Sequence, residues 1–351
     1  MKLLLILVLG LMKIQDSLVF AEKVLVATGF SKETEIIDLE NPDFVCAKEG
    51  STTKLKQFPV DIWSATGGLI RQKPMICGGK IWTTVYEKSF SQACYALQEI
   101  GSWKEEEATL SKGRMMYGSG SVVLNNELVI AGGWDLDGMS TSIEVIGGRR
   151  NKARTLENIE LPIETYGSCI VPWDADTFMV IGGNLNEAGG NPRYSQRGTY
   201  FINIKDETMT NGPDLINARY RHGCSEMIVD GEEFIVVTGG HGMAYWGSTQ
   251  NSTEYLSKAN FEDVGWQEGA QLPVHIFNHQ QMVTSPDKQF VYTIGNGHRA
   301  YNKDIYKYTC PNNDIKQCVW TKAKTKLKYG RERLVAFGIP NSLAEKICER
   351  V

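Results

Sequence analysis

Short apolar stretches that end in glycine recur along the whole chain, separated by polar segments rich in turn-forming residues. Each stretch is only four or five residues long, which is typical of buried β-strands and too short for a helix. The pattern therefore predicts an all-β protein made of many short strands. The six copies are VLVATGF at 24–30, PMICGGK at 74–80, LVIAGGW at 128–134, FMVIGGN at 178–184, FIVVTGG at 234–240 and VYTIGNG at 291–297.

The copies recur at intervals of 49 to 57 residues, counted between their first glycines. A second β-rich run follows each copy, for example TEIIDL at 34–39, and a further strand of small or apolar residues precedes five of them. In three copies a tryptophan follows the glycines by about 25 residues, at Trp103, Trp266 and Trp320. Four strands in a unit of about fifty residues are typical of a propeller blade.

These units resemble the kelch repeat from about residue 24 to residue 338. In that family the glycine pair ends the second strand of each blade, and later aromatic residues pack between blades. The resemblance implies a six-bladed kelch-type β-propeller. Blade 1 reads Gly29-Phe30, blade 6 reads Gly295-Asn296, and blades 1, 3 and 4 lack the tryptophan. We expect these blades to be less regular than the others.

The two ends of the chain are predicted to complete one blade. VLVATGF begins directly at a second strand, whereas ERLVAFGI at 332–339 is a strand with no blade of its own. If the C-terminal strand joins the first blade, no open sheet edge remains. A two-sheet β-sandwich is the alternative fold, but regular fifty-residue units are not expected of it.

The first residues read as a targeting signal. Met1-Lys2 is positive, residues 3–12 are apolar, and small or apolar residues precede a cut after Ala21. We predict a signal peptide at 1–21 and a single propeller domain at 22–351, secreted to the extracellular space. Elsewhere there is no apolar run near eighteen residues, so no membrane span is predicted.

Composition narrows the function classes. Thirty-five glycines against eleven prolines suit many short strands joined by turns. The net charge of −4 and the pI near 5.9 leave no basic excess for a phosphate backbone, so nucleic-acid binding is not expected. The sequon Asn251-Ser252-Thr253 predicts one N-glycosylation site at Asn251.

Eight cysteines, an even number with no CxxC spacing, favour disulfides over a zinc or redox site. Cys310 and Cys318 flank PNNDIKQ between two predicted strands, so a bridge across this hairpin is predicted. Eight cysteines allow 105 pairings, and the remaining connectivity stays open. The other pairs considered are Cys77 with Cys94, Cys169 with Cys224, and Cys46 with Cys348.

Histidines suggest an alternative function. Four of the five lie at analogous loop positions of blades 5 and 6, namely His222, His241, His279 and His298. Imidazole suits copper or zinc, and the grouping is similar to the galactose oxidase propeller, which holds copper with histidine and tyrosine ligands. That resemblance would imply a copper-dependent oxidase or another metalloenzyme. The adjacent Tyr-His of the oxidase is missing, because Arg221 separates Tyr220 from His222. We therefore predict no metal, no cofactor and no catalytic residue.

The favoured interpretation is a monomeric extracellular binding module rather than an enzyme. The loops that follow the glycine pairs of blades 4 and 5 are the longest of their class, and Tyr, Trp and Arg are the residues that anchor protein interfaces. A protein or glycan partner is expected on the propeller face that carries these loops. The predicted binding residues are Trp134, Arg193, Tyr194, Arg197, Tyr245, Trp246, His298, Arg299 and Tyr301.

Overall fold

Six four-stranded antiparallel sheets are arranged as the blades of a β-propeller. In this computed structural model the described residues are 23–47, 53–81, 89–116, 120–147, 152–185, 194–242, 249–276, 282–295 and 302–348. The predicted leader at 1–21 lies outside them. The all-β class and the six-bladed architecture expected from the repeats are confirmed.

Each blade runs from an inner strand at the axis to an outer strand at the periphery. Blade 1 contains β29 (Val335–Ile339), β1 (Lys23–Ala27), β2 (Thr34–Asp38) and β3 (Val45–Ala47). Blade 2 contains β5 (Thr66–Ile70), β6 (Lys73–Cys77), β8 (Cys94–Leu97) and β9 (Trp103–Glu105). Blade 3 contains β10 (Ser121–Leu124), β11 (Glu127–Ala131), β12 (Ile143–Gly147) and β13 (Lys152–Thr155).

The second half of the propeller repeats this order. Blade 4 contains β15 (Cys169–Pro172), β16 (Thr177–Ile181), β19 (Thr199–Asn203) and β20 (Thr208–Asn211). Blade 5 contains β21 (Gly223–Val229), β22 (Glu232–Thr238), β23 (Thr253–Ser257) and β24 (Gln267–Gly269). Blade 6 contains β25 (Met282–Thr284), β26 (Val291–Ile294), β27 (Asp304–Thr309) and β28 (Val319–Lys326).

Smaller elements lie outside the blades. Two small sheets pair β4 (Ile62–Trp63) with β7 (Lys80–Ile81), and β17 (Asn184–Leu185) with both β14 (Thr165–Tyr166) and β18 (Tyr194–Ser195). The helices are α1 (Phe261–Val264) and α2 (Asn341–Cys348), with short 3-10 turns at Pro311–Asn313 and Ile315–Gln317. The apolar face of α2 buries Leu343, Ala344 and Ile347.

The C-terminal strand closes the ring as expected. β29 pairs with β1 along its full length, from Lys23 opposite Ile339 to Ala27 opposite Val335. Each inner strand contacts the inner strands of both neighbouring blades, and β29 contacts those of blades 2 and 6. The closed ring leaves blade 1 dependent on both ends of the chain.

A left-handed turn follows the second strand of every blade, where glycine is favoured because it has no Cβ. Gly132 and Gly133 have φ of +70° and +102°. In blade 1 the two positions are Thr28 and Gly29, with φ of +63° and +82°. The turn therefore begins one residue before the predicted Gly29-Phe30 pair. A Cβ on Gly29 would lie 2.4 Å from the Glu332 carbonyl oxygen.

The three repeat tryptophans pack between blades, as the resemblance implied. Trp103 Nε1 donates to Thr34 Oγ1 of blade 1 at 3.3 Å, and Trp320 Nε1 donates to Thr253 Oγ1 of blade 5 at 2.9 Å. Trp266 is 4% exposed and donates to a carbonyl beside blade 4. Blades without this tryptophan are nevertheless complete. The irregularity expected of the sheets of blades 1, 3 and 4 is wrong, because main-chain pairing completes them. Blade 6 does have a register shift, between Asp304 and Tyr306.

Four disulfides join the pairs that the sequence analysis considered. The described cysteines are all bonded. Two bridges lie within blades, one links the inner strands of blades 4 and 5, and one ties the outer strand of blade 1 to α2. The pairs are Cys77–Cys94, Cys310–Cys318, Cys169–Cys224 and Cys46–Cys348.

Blades 1, 3 and 5 each contain a fully buried Arg–Glu ion pair, formed by Arg331 with Glu35, Arg114 with Glu144, and Arg219 with Glu254. In each pair the glutamate lies on the third strand, and the arginine lies in the segment that leads into the inner strand. The arginine also donates to a carbonyl of the turn after the second strand, at Gly132, Gly239 or Thr28. Each pair therefore fastens a turn to the segment beside it.

Candidate functional site

One face of the propeller carries both the turns after the second strands and the segments that enter the inner strands. The two lie together because the first and second strands of a blade are antiparallel. We call it the glycine-turn face. In blades 2 to 5 the residue after the glycine pair forms a β-bridge to the entering segment, as His241 does with Tyr220 and Trp134 does with Met115.

Aromatic rings line this face near the axis. The rings of Phe30 and Trp63 are stacked with centroids 5.1 Å apart. Tyr166 makes edge contacts with Trp134 at 5.4 Å and with Tyr220 at 6.2 Å. Phe30, Trp134 and His241 follow the glycine turns of blades 1, 3 and 5. Trp63, Tyr166 and Tyr220 lie in the segments that enter the inner strands of blades 2, 4 and 5. We call the set Phe30, Trp63, Trp134, Tyr166, Tyr220 and His241 the rim.

Two arginines lie against the rim. The Arg333 guanidinium carbon is 4.6 Å from the Trp63 ring centroid, and that of Arg221 is 5.4 Å from the Tyr220 ring centroid. Both side chains are half-buried. Contacts of this kind between a guanidinium and an aromatic face are attractive and orient the charge.

The entering segments also bond to one another around the axis. Ser64 N donates to Arg333 O at 3.0 Å, and Arg221 N donates to Gly167 O at 2.6 Å. Arg221 and Arg333 both have φ of +55°, at the position where blade 4 has Gly167. A left-handed conformation costs a residue with a Cβ about 1–2 kcal/mol, so the arginines are kept there against a local preference.

His241 is held neutral by its surroundings. Burial, with the Arg221 charge nearby, lowers the pKa of His241 to about 4. Its ring stacks on Tyr220 with centroids 5.0 Å apart. At neutral pH the positive charge at this part of the rim therefore belongs to the arginine and not to the imidazole.

The predicted binding residues lie in different environments or outside the described residues. Trp134 lies in the rim, half-buried. Arg197 is exposed, but its Nε donates to Leu215 O at 2.5 Å, so it also anchors a neighbouring segment. The backbone of Tyr194 forms part of β18 on this face. The remaining members lie outside the described residues, namely Arg193, Tyr245, Trp246, His298, Arg299 and Tyr301.

Two of the four histidines of the predicted group, His222 and His241, lie within the described residues. His222 is fully buried beside the glycine turns of blades 4 and 5, and a Cβ on Gly182 would lie 3.0 Å from its Cε1. His279 and His298 lie outside the described residues. Within the described ranges no group of three or more His, Cys, Asp or Glu side chains could hold a metal ion.

The sequon asparagine takes part in the fold. Asn251 Nδ2, the atom that would carry a glycan, donates to Leu272 O at 3.0 Å, and Leu272 N donates to Asn251 O at 2.8 Å. Thr253, the third sequon residue, is buried at the start of β23. A glycan at Asn251 would be attached to a nitrogen that already donates a hydrogen bond within the fold, and glycosylation stays a prediction.

Sequence reasoning missed Arg221 and Arg333, although a local signal marks them. Both belong to an Arg-x-Arg motif directly before an inner strand, at 219–221 and 331–333. The first arginine of each motif enters the buried ion pair, and the second lies on the rim. The motif was not recognised because the two copies lie about two blades apart along the chain, and their equivalent places in blades 5 and 1 are seen only in the folded propeller.

The opposite face has a cavity of about 360 Å³. Its charged groups satisfy one another: Lys258 Nζ is 2.6 Å from Glu226 Oε1 and 2.9 Å from Glu233 Oε2, and Lys288 Nζ is 2.9 Å from Glu226 Oε2. A ligand there would have to displace these ion pairs. The glycine-turn face is therefore the better candidate.

Comparison with known proteins supports the fold. No protein-family model and no curated protein matches the chain. Matching solved structures include that of YjhT, with 12% sequence identity and a TM-score of 0.65 over 86% of this chain and 95% of that one. At this identity the likeness shows the fold alone. None of the helices in the described part of the chain is long and apolar enough to cross a membrane.

Proposed function

We propose that this protein is a secreted binding module of the kelch type that takes a protein partner on the glycine-turn face. The observation that carries the proposal is the rim, contributed by blades 1 to 5, with its two arginines. Arg, Tyr and Trp are the residue types that most often dominate interface energetics. Four disulfides are compatible with an extracellular location.

The architecture suits a binding role. The closed ring and the buried ion pairs hold the entering segments in place, so little ordering is needed when a partner binds. Loops carried on such a scaffold can vary without changing the fold. The proposal includes removal of residues 1–21 and a monomeric mature chain of residues 22–351.

The test uses the loop that follows the glycine pair of blade 5. Replacing Tyr245 and Trp246 together by Ala should reduce capture of a crosslinked partner from the fluid into which the protein is secreted, with little change in melting temperature. Interface anchors of this kind typically contribute about 2 kcal/mol or more. The control is Trp103→Ala, which removes a ring packed between blades 1 and 2 and should lower stability without a specific loss of capture.

Partner capture that survives the double substitution, counted per folded molecule, would remove this loop from the binding face. A large fall in melting temperature for the double variant would instead assign the two side chains to internal packing.

A further inference from the structure

We infer that the outer strand of blade 6 is a binding surface for a sulfated polysaccharide, which its exposed lysines contact along the strand. The surface is separate from the glycine-turn face, so the inference goes beyond the proposed function. It starts from the distribution of charge along the chain. Residues 303–328 contain seven lysines and two aspartates, whereas the whole chain has a formal charge of −4. We call Lys322, Lys324 and Lys326 of β28 the lysine ladder.

The strand places the three side chains of the ladder on one side. Residues of a β-strand alternate between its two faces. Thr325 and Leu327 are buried against blade 1, where Thr325 Oγ1 donates to Asp38 O at 2.8 Å. The ladder lysines alternate with these buried residues and are exposed. Successive ladder positions are about 7 Å apart along the strand. The ladder is therefore a row of cations that can follow one linear ligand.

Two of the ladder lysines have no anionic partner in the described part of the chain. Lys322 Nζ is 2.6 Å from Asp304 Oδ2 on the neighbouring strand β27. No ion pair or side-chain hydrogen bond engages Lys324 or Lys326 within the described ranges. The remaining segments of blades 5 and 6, at 243–248, 277–281 and 296–301, contain no Asp or Glu. The charges of Lys324 and Lys326 are therefore available to an external anion.

Protection of a sheet edge does not explain the ladder. Lysines on an edge strand discourage pairing with another chain, and every blade of this propeller has an outer strand. The outer strands of blades 1, 4 and 5, namely β3, β20 and β24, contain no lysine or arginine. A device needed at every edge would not be concentrated in one blade. The concentration is explained if blade 6 binds a polyanion.

The side chains favour a polysaccharide over a peptide or a nucleic acid. All cations of residues 303–328 are lysines, which act as separate point charges, whereas arginine makes the paired hydrogen bonds that suit carboxylate and phosphate. Single-stranded nucleic acid stacks its bases on exposed aromatic rings, but Tyr306, Tyr308 and Trp320 are at most 8% exposed. A sulfated polysaccharide carries permanent charges at regular intervals and needs no ring to stack upon.

The experiment measures binding of a fluorescein-labelled heparin octasaccharide to the mature protein by fluorescence anisotropy. We expect saturable binding that weakens with added salt, because each lysine contact releases counterions. Lys324→Gln/Lys326→Gln should weaken binding at least tenfold at an unchanged melting temperature. The matched control is Lys104→Gln/Arg154→Gln, which removes the same charge from the outer strands of blades 2 and 3. It should bind as the natural sequence does.

Absence of saturable heparin binding by the natural sequence, or an equal loss in the two double variants, would overturn the inference. So would tighter binding of a DNA duplex or of polyglutamate than of heparin at the same salt concentration. Loss of heparin binding in Tyr245→Ala/Trp246→Ala would also overturn it, because the polysaccharide would then lie on the glycine-turn face. If heparin does not bind while that variant still abolishes partner capture, the proposed function stands without the lysine ladder.

Discussion

Blades 1, 3 and 5 differ from blades 2, 4 and 6 at one position of the third strand. The position lies opposite the penultimate residue of the second strand in every blade. It is glutamate in the first group, at Glu35, Glu144 and Glu254, and tyrosine in the second, at Tyr95, Tyr200 and Tyr306. The residue of the entering segment that pairs with this glutamate is arginine in blades 1, 3 and 5. At the same position blades 2, 4 and 6 have Ile62, Thr165 and Ile276. The propeller therefore has a two-blade period.

The alternation shows that a blade does not need a buried ion pair to form. Burial dominates the energetics of the charges: it raises the pKa of Glu35 and lowers the pKa of Arg331, and the mutual attraction works against both shifts. Such pairs contribute little net stability, although breaking one is costly. What the pairs do is position the entering segments. Two of the three hold the Arg-x-Arg motifs that present Arg221 and Arg333.

Removing residues 330–351 should lower the stability of the propeller more than any other change, because blade 1 is the odd-numbered blade assembled from both chain ends. The deletion removes β29 together with Arg331, which exposes β1 as a sheet edge and leaves the Glu35 carboxylate without its guanidinium partner. We expect aggregation and no cooperative melting, measured by size-exclusion chromatography and circular dichroism. A truncated chain that stays monomeric and melts within a couple of degrees of the full mature protein would refute the closure.

The disulfides allow a second comparison of blade 1 with an even-numbered blade. Cys46–Cys348 spans 302 residues and Cys310–Cys318 spans 8. In the chain-entropy description, replacing the first pair by serine should cost about 6 kcal/mol and replacing the second about 2–3 kcal/mol. Denaturant unfolding of the two double variants measures the difference. Equal losses would show that the closure of blade 1 does not depend on its bridge.

Glu254→Gln tests the ion pair itself. The substitution leaves the buried Arg219 guanidinium without an opposing charge, for which a loss of about 3–5 kcal/mol in unfolding free energy is expected. Tyr200→Phe is the matched variant at the same register position of blade 4, and it should cost less than about 1 kcal/mol. Denaturant unfolding at neutral pH checks both. Similar losses of unfolding free energy for the two variants would show that the ion-pair position is no more important in odd-numbered blades than the tyrosine position is in even-numbered ones.

His241→Asn should have the smallest effect on stability. It tests how the stability of blade 5 depends on pH. Because the folded-state pKa of His241 is about 4, below its usual 6.5, the unfolded chain binds the proton more tightly, and stability falls as pH drops from 6.5 towards 4. The contribution is on the order of 2 kcal/mol, reduced by partial solvent screening.

Asparagine occupies the equivalent place in blade 4, at Asn184, where it donates to Tyr166 Oη at 3.0 Å. His241→Asn should therefore preserve the turn and flatten the pH dependence, as followed by melting temperature from pH 7 to pH 4. An unchanged slope would mean that other groups govern acid sensitivity.

Much of the architecture follows from local sequence. Glycine pairs at regular spacing mark where each second strand must turn with positive φ, and the unmatched strand at 332–339 requires a partner at the other chain end. The one-residue slip in blade 1 arose because Thr28 adopts the glycine conformation there. A threonine gives no local sign of this, and its turn is held by a hydrogen bond from Arg331, 303 residues away.

The sequence by itself determined the number of blades, the closure and the turn positions of every blade except blade 1, because each depends on residues within one repeat or on counting strands. Only the tertiary structure decided which polar residues are buried and which lie on the glycine-turn face. The two arginines of each Arg-x-Arg motif are chemically identical and two positions apart, yet one is desolvated against a glutamate and the other lies on the rim. That division is made by the glutamate on the third strand, which pairs with the first arginine, and by the left-handed conformation of the second arginine, just before the inner strand.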